Sequence, residues 1–281
     1  MFKKSAAFIF ALALILSCLA SCEKKSASSV EYMILSDSLA DETYGIGFRK
    51  ADVALGEEVQ KQLVEMKKNG KLAEIAKKWF GSDTTIIEDS FTSVNPTDSS
   101  LTDIKAAGKL VMGLDDSFPP MGFRNGNHEI IGFDVDLAKE VCKRIGIELV
   151  LQPIDWKVKD KELDAKTVDC LWNGFTITDE RKAAMYISMP YLHNRQVIVT
   201  LKSNKITTLS DLKGKTLDLQ SASSAVEALD SRPDVKNNLK NGVPVEVKDN
   251  DLALKDLEAG GCDAVLMDEV VARYKISMLN K

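Results

Sequence analysis

From Leu101 onward, short apolar runs alternate with segments whose apolar residues recur at helical spacing, and this alternation restricts the fold more than any other feature of the chain. "KLVMGLD" reads as a strand. "GFDVDLAKEVCKRIG" sets Val135, Leu137, Ala138, Val141, Cys142 and Ile145 near helical spacing, and Gly146 closes it. "IELVLQPI" and "TVDCLWNG" read as further strands, and "QVIVTLK", "TLDLQ" and "DAVLMD" continue the series. "SSAVEALDS" and "DLALKDLEAGG" are the helices between them. Strands alternating with helices imply α/β layers with mostly parallel sheets. Two such sets are expected, divided near Tyr191 to Val197.

The front of the chain breaks that pattern. Leu55, Val59, Leu63 and Met66 form one apolar stripe. Asn69-Gly70 interrupts it, and Leu72, Ile75, Ala76 and Trp79 form another. Two helices of this length need a surface to pack on, since they are too short to make a domain alone. "SDTTIIEDSFTSVNPTDSS" follows; rich in Ser, Thr and Asp, it reads as a surface linker tacked down by Ile86, Ile87 and Phe91. At the start, Lys3 and Lys4 precede an apolar run, Ala6 to Leu16, that ends at Leu19-Ala20-Ser21-Cys22. This reads as a secretory signal over residues 1–21, too short to span a bilayer. A cysteine directly after Leu-Ala-Ser suggests a bacterial lipoprotein, with Cys22 lipidated and residues 22–30 a polar tether; an ordinary signal peptide with a chance cysteine is the alternative.

The whole chain has 37 basic and 42 acidic residues. Without Lys3 and Lys4 the balance is 35 against 42, or −7, and no basic block stands out, which argues against nucleic acid as a partner. Cys142, Cys170 and Cys262 sit among apolar neighbours and read as buried free thiols, with one disulfide between two of them as the alternative. His128 and His193 lack metal-ligand spacing, and no metal, cofactor or covalent catalysis is expected. "GKT" at Gly214 imitates the end of a phosphate loop, but Leu209 stands where the first glycine is required.

"LDDSFPPMGF", "GFDVDLAKEV", "WNGFTITDERK", "DLKGKTLDLQSASS" and "DAVLMDEVVA" occur in that order. Together they resemble extracellular solute-binding proteins of family 3, the polar amino-acid receptors of ABC importers. The resemblance implies an α/β, two-lobe, periplasmic-binding-protein-like (type II) fold with two crossover strands and the ligand in the cleft. In the usual order a second crossover and two closing helices follow "DAVLMDEVVA". Here their counterparts, "ADETYGIGFRK" and "LGEEVQKQLVEMKKNGKLAEIAKKWFG", stand at the front. The implied arrangement is a circular permutation. Residues 31–41 are then the first part of lobe 2, and 42–81 the crossover and closing helices of lobe 1. Residues 82–100 join the ancestral termini, 101–193 make up lobe 1, and 194–281 lobe 2. A gene fusion carrying a stray fragment is the bland alternative. Closure within one chain, giving a monomer, is expected over a swapped dimer because the tethered piece is at high effective concentration.

The resemblance also implies the site. Burying a zwitterion requires a partner for each charge. Arg181 matches the arginine that takes the carboxylate. Asp268 matches the acid that takes the ammonium, helped by the Gly174 carbonyl and the Thr176 hydroxyl. Ser223 and Ser224 stand where "QSASS" enters a helix, whose backbone N–H groups would point at the ligand carboxylate, and N-capping alone would also account for them. Phe118 and Trp156 match aromatics that sandwich the ligand side chain, although "IDWKVKDKEL" departs from the family's more apolar sequence after the tryptophan. Asp115 matches an acid that meets the side chain's polar tip, with Asp116 adding negative field. Gln220 stands where some relatives carry lysine. That loss of positive charge favours a cationic ligand (Arg, Lys, ornithine or His), with Gln or cystine left open. The implied function is ligand capture for an ABC permease by a lipid-anchored receptor in the cell envelope, periplasmic or extracellular. A sensor or adhesin without a permease is the alternative. A cyclohexadienyl-dehydratase-like enzyme is a weaker one, since the pair Arg181 and Asp268 is retained.

Overall fold

A computed structural model describes residues 30–279. The signal segment, Cys22 and residues 22–29 of the tether lie outside the described residues. In chain order, β1 (Tyr32–Arg49) leads into α1 (Val53–Lys68) and α2 (Lys71–Phe80). After an irregular stretch come α3 (Ser100–Ala107), β2 (Lys109–Leu114), β3 (Ser117–Phe118), β4 (Gly122–Arg124) and β5 (Ile130–Ile131). Next are α4 (Phe133–Ile145), β6 (Glu148–Pro153), α5 (Lys159–Asp164), β7 (Cys170–Thr176), α6 (Asp179–Ala184), β8 (Met185–Ile187) and β9 (Leu192–Leu201). The remainder is β10 (Leu217–Gln220), α7 (Ser224–Asp230), α8 (Pro233–Lys236), β11 (Val245–Val247), α9 (Asn250–Ala259), β12 (Ala264–Asp268) and α10 (Glu269–Leu279).

The sheet runs in the order β11-β10-β12-β9-β1-β7-β2-β6. Pairing is parallel inside each half, β2 with β6 and β7, and β10 with β11 and β12. The expectation of mostly parallel sheets fails where the halves meet. There β1 pairs antiparallel with β9 over Tyr32↔Leu201 to Tyr44↔Leu192, and its far end pairs antiparallel with β7. Two strands therefore pass between the halves. Residues 41 and 42, read as a lobe boundary, lie inside the continuous β1.

One apolar cluster lies within the second half, and a larger one runs from the first half into α9, β12 and α10 of the second. Leu35, Leu39, Ile198, Leu217, Leu219, Leu229 and Leu266 are buried together in the smaller cluster. In the larger, Leu110, Met112, Leu137 and Val141 are buried with Leu55, Val59, Leu63 and Leu72 of α1 and α2. The front helices thus find their surface in the sheet that begins at Leu110. α2 docks on α4: the Phe80 and Phe133 rings are 4.9 Å apart, and Trp79 Nε1 donates to Asp136 at 2.8 Å. α4 is closed by Gly146 at φ 82°, with Lys143 and Arg144 in its last turn.

Residues 82–99 carry almost no regular structure, as a linker should, but they are tied down. Ile87 is buried, Phe91 packs against the core, and the backbone N–H of Val94 donates to Glu57 at 2.8 Å. Ser100, assigned to that linker, instead begins α3. Cys142, Cys170 and Cys262 are buried and unpaired. Among the described residues, no helix is long and apolar enough to cross a membrane.

Candidate functional site

The carboxyl ends of the parallel strands face one another across the junction of the halves, the place where open α/β sheets hold ligands. β7 ends in Asn173, Gly174 and Thr176; Asp115 follows β2; and Trp156 begins a short helical turn after β6. The other half contributes Gln220 at the end of β10, Ser224 at the start of α7, and Asp268, the last residue of β12. One pocket is lined by all ten of Asp115, Phe118, Trp156, Gly174, Thr176, Arg181, Gln220, Ser223, Ser224 and Asp268. Asn173 lines it as well, and its Nδ2 is buried with no acceptor among the described residues.

Arg181 is half-buried. Its guanidinium lies 4.2 Å from the Phe175 ring centre, and Nη1 donates to the Thr176 carbonyl at 2.8 Å. No carboxylate among the described residues forms an ion pair with it, and burial draws its pKa down. A buried guanidinium of this kind lacks only a forked acceptor. Thr178 sets its position by capping α6, accepting from the Arg181 backbone N–H. Ser223 caps α7 in the same way, accepting from the Ala225 N–H and donating to the Gln220 carbonyl, so local capping accounts for its contacts. The Ser224 hydroxyl faces the cleft, 3.0 Å from Thr176 Oγ1.

Two acids of the site, Asp268 and Glu42, lie close enough for their charges to act on Arg181. Asp268 Oδ1 accepts from Tyr44 OH at 2.6 Å and from Asn194 Nδ2 at 2.7 Å. Glu42 lies beside it: its Oε2 accepts from Thr176 Oγ1, Asn194 Nδ2 and Gln196 Nε2, at 3.0 to 3.1 Å. Burial, then the Glu42 charge, push the Asp268 carboxyl up to about 7. Reading the sequence missed Glu42, Tyr44, Asn194 and Gln196. The first two fall in "ADETYGIGFRK", which was read for its connectivity alone, and the others alternate along β9, where polar residues look like an exposed face.

Gly174 sits at φ 57°, and a Cβ there would fall 2.8 Å from the Phe118 ring and 3.2 Å from Tyr44. Its N–H donates to buried Asp134 at 2.7 Å, and burial pushes that carboxyl up to about 7. Asp134 was also missed, because an acid in the first turn of a helix looks like an ordinary dipole partner.

Two aromatic residues line the same pocket. Phe118 and Trp156 are buried, with Trp156 edge-on to Phe175 at 6.1 Å. Asp115 Oδ1 accepts from Ser117, and its Oδ2 from Gln220 Nε2 at 2.8 Å, joining the halves. Burial raises the Asp115 pKa. Asp116 does not add the expected negative field: it is paired with Arg124, which offsets its charge.

Elsewhere, Asp218, Asp256 and Cys262 bring two carboxylates and a thiol within 4.8 Å of one another. Burial and then Asp256 push the Asp218 carboxyl up to about 6, which suits a proton held between the two acids.

Residues 110–273, more than half of the chain, match the family model for bacterial extracellular solute-binding proteins, family 3. The chain belongs to this family. Among its relatives, the L-cystine-binding protein of Escherichia coli K12 is 33% identical over 183 residues, 64% of this chain and 66% of that protein. The arginine-binding extracellular protein of Bacillus subtilis 168 is 32% identical over 167 residues, 58% of this chain and 62% of its own length. The matched stretch thus spans slightly less than two thirds of either curated relative. A crystal structure of an ABC uptake transporter substrate-binding protein from Streptococcus pneumoniae with bound histidine superposes with a TM-score of 0.63 at 37% identity, covering 65% of this chain and 74% of that one. The family match begins at Leu110, so β1, α1 and α2 lie outside it even though they pack into the same sheet and core.

Proposed function

We propose that this chain captures a polar amino acid between its two halves and delivers it to an ABC permease. The observation that carries this reading is one pocket lined together by Arg181, which has no ion pair among the described residues, by Asp268, and by the aromatic residues Phe118 and Trp156. In it Arg181 takes the ligand carboxylate. Asp268, with the Gly174 carbonyl and the Thr176 hydroxyl, takes the ammonium. The side chain lies along Phe118 and Trp156 toward Asp115. Gln220, Ser223 and Ser224 close the cavity from the other half, and the orphaned Asn173 amide offers a further donor to a polar ligand.

A cationic side chain, as in Arg, Lys, ornithine or His, suits Asp115, whose carboxylate is held by Ser117 and Gln220 and by no ion pair among the described residues; Gln and cystine are the competing ligands. The Glu42 carboxylate adds to the negative charge of Asp268. Closure and opening occur about β1 and β9, the two strands that pass between the halves. We read residues 31–41 as the permuted first part of the second half, and 42–81 as the permuted crossover and closing helices of the first. Support comes from β1 lying between β9 and β7 and from α2 docking on α4. The chain is taken to act as a monomer, held at the membrane surface through lipidated Cys22.

Thermal-shift screening against the twenty amino acids, ornithine and cystine tests the reading, since a ligand of the native state raises the melting temperature by mass action. Stabilisation by at least one polar amino acid, lost in Arg181→Ala, is the expected result. No shift with any of them would remove it.

A further inference from the structure

Lys159 opens α5, directly after the turn that holds Trp156, yet it is only 4% exposed. Its Nζ donates to the Ala222 carbonyl at 3.0 Å. That contact crosses from the first half of the molecule to the second, since Ala222 belongs to the turn between β10 and α7. Ala222 adopts a left-handed conformation, φ 54°, unusual for a residue with a Cβ. Nζ also lies 5.7 Å from the Trp156 ring centre.

The charges around Lys159 do not balance it locally. Asp160, on its own helix, lies 3.6 Å away and is itself more than half exposed. Arg181 and Glu180 of α6 act on it from the neighbouring element. Arg49, Asp164, Glu227 and Asp230 line the same opening. Burial, and then the charge of Arg181, draw the Lys159 pKa down. The closed arrangement thus holds two cations side by side, Lys159 with the Ala222 carbonyl and the largely exposed Asp160 as its partners, and Arg181 with no ion pair among the described residues. Desolvation of that kind is costly unless a negative charge arrives.

We infer that Lys159 is a positioning residue for ligand capture: it latches the two halves through the Ala222 carbonyl, and its charge is balanced by the carboxylate that the ligand brings to Arg181. The inference rests on the proposed amino-acid reading of the cavity. It makes closure conditional on the ligand. Without a carboxylate the latch forms against the repulsion of Arg181; with one, the hydrogen bond and the charge balance act together. The polar sequence after Trp156 thereby gains a role.

The test compares the purified full chain with Lys159→Met and Lys159→Gln by calorimetry and stopped-flow, with arginine, histidine and cystine in turn. For the ligand that wild type binds, both variants should weaken binding about tenfold, mainly through faster dissociation. The wild-type affinity should fall at alkaline pH as Lys159 loses its proton, over and above the loss caused by the ligand's own ammonium. Both variants should lack that extra fall. Glutamine keeps a donor for Ala222, so it also stands in should the methionine variant fail to fold. Affinity within about twofold of wild type in the variants, or an alkaline fall unchanged by them, overturns the inference alone. If wild type binds none of the three, the ligand found among the remaining amino acids and ornithine takes their place, and wild-type protein that binds none of these either overturns the amino-acid reading and this inference with it.

Discussion

Glu42 and Asp268 are joined through one amide: Asn194 Nδ2 donates to Glu42 Oε2 at 3.0 Å and to Asp268 Oδ1 at 2.7 Å. Two carboxylates held this close in a buried place resist ionising together, and Asp268 carries the shift, up to about 7. An incoming ammonium favours the ionised form. Binding therefore expels a proton wherever Asp268 is still protonated in the empty protein. Affinity should rise with pH to about 7 and then level off until other groups titrate. Calorimetry in buffers of different ionisation heat, from about pH 5 to about pH 8, measures both the affinity and the proton released. Tyr44 donates to Asp268 and holds its pKa down, so Tyr44→Phe should move the rise to higher pH.

The same shift has a stability consequence. A carboxyl whose folded pKa lies above its unfolded value stabilises the fold when protonated, and that contribution is lost as pH climbs from the unfolded pKa toward about 7. Asp268→Asn removes the charge but keeps the shape. The empty variant should melt higher than wild type at about pH 8 while losing at least about a hundredfold in affinity, because the ammonium is left without an anion. A variant that melts lower at that pH would show Asp268 to be well solvated or well paired in the empty protein.

Arg181→Ala should cost at least about 3 kcal/mol of binding, since the ligand carboxylate would be buried without a partner. Its effect on the empty protein is different in kind. The guanidinium is held by one carbonyl and a ring face, with no ion pair to lose. The melting temperature without ligand should change little, while the stabilisation by ligand disappears. A large loss of stability in the empty variant would assign Arg181 a structural role instead.

Gly174→Ala tests the cavity floor. The left-handed backbone costs an L-residue about 1–2 kcal/mol, and the added methyl would stand 2.8 Å from Phe118. Either the ring moves into the cavity or the strand end shifts away from Asp134. Urea unfolding should show a loss of about 2 kcal/mol or more, with weaker ligand binding in the same variant.

The sequence carried this fold in unequal measure. Periodicity alone located α1, α2, α4, α9 and the buried strands, because their apolar residues face one core. α3 escaped: among its eight residues only Ser100 and Ile104 are buried, too few to mark a face. β3, β4 and β5 are two or three residues long and carry no period at all. At the site, Arg181 and Asp268 were legible through the motifs around them. Glu42 and Lys159 were not. Glu42 acts on Asn194, its cross-strand partner in β9, and Lys159 acts across the cleft on Ala222; both partners are distant in the chain, and no local pattern encodes such a contact. Asp116 was over-read for the same reason: its partner, Arg124, comes from the neighbouring hairpin.

The last prediction concerns residues 32–81. β1 lies in the middle of the sheet, and Leu55, Val59 and Leu63 of α1 are fully buried. Removing this piece would uncover β9 and β7 and strip the larger apolar cluster of one wall. A chain beginning at residue 82 should fail to fold, reading as disordered or aggregated by circular dichroism and size exclusion. A cut within the linker is another matter. Val94 is 70% exposed, so a protease site placed over residues 94–96 is accessible. The two pieces share a continuous sheet and core, and loop tips of this kind tolerate nicking. The nicked protein should elute as one species and bind amino acid within about twofold of the intact chain. Separation of the pieces on nicking would show that the tether, rather than the packing of β1 between β9 and β7, keeps the front segment in place.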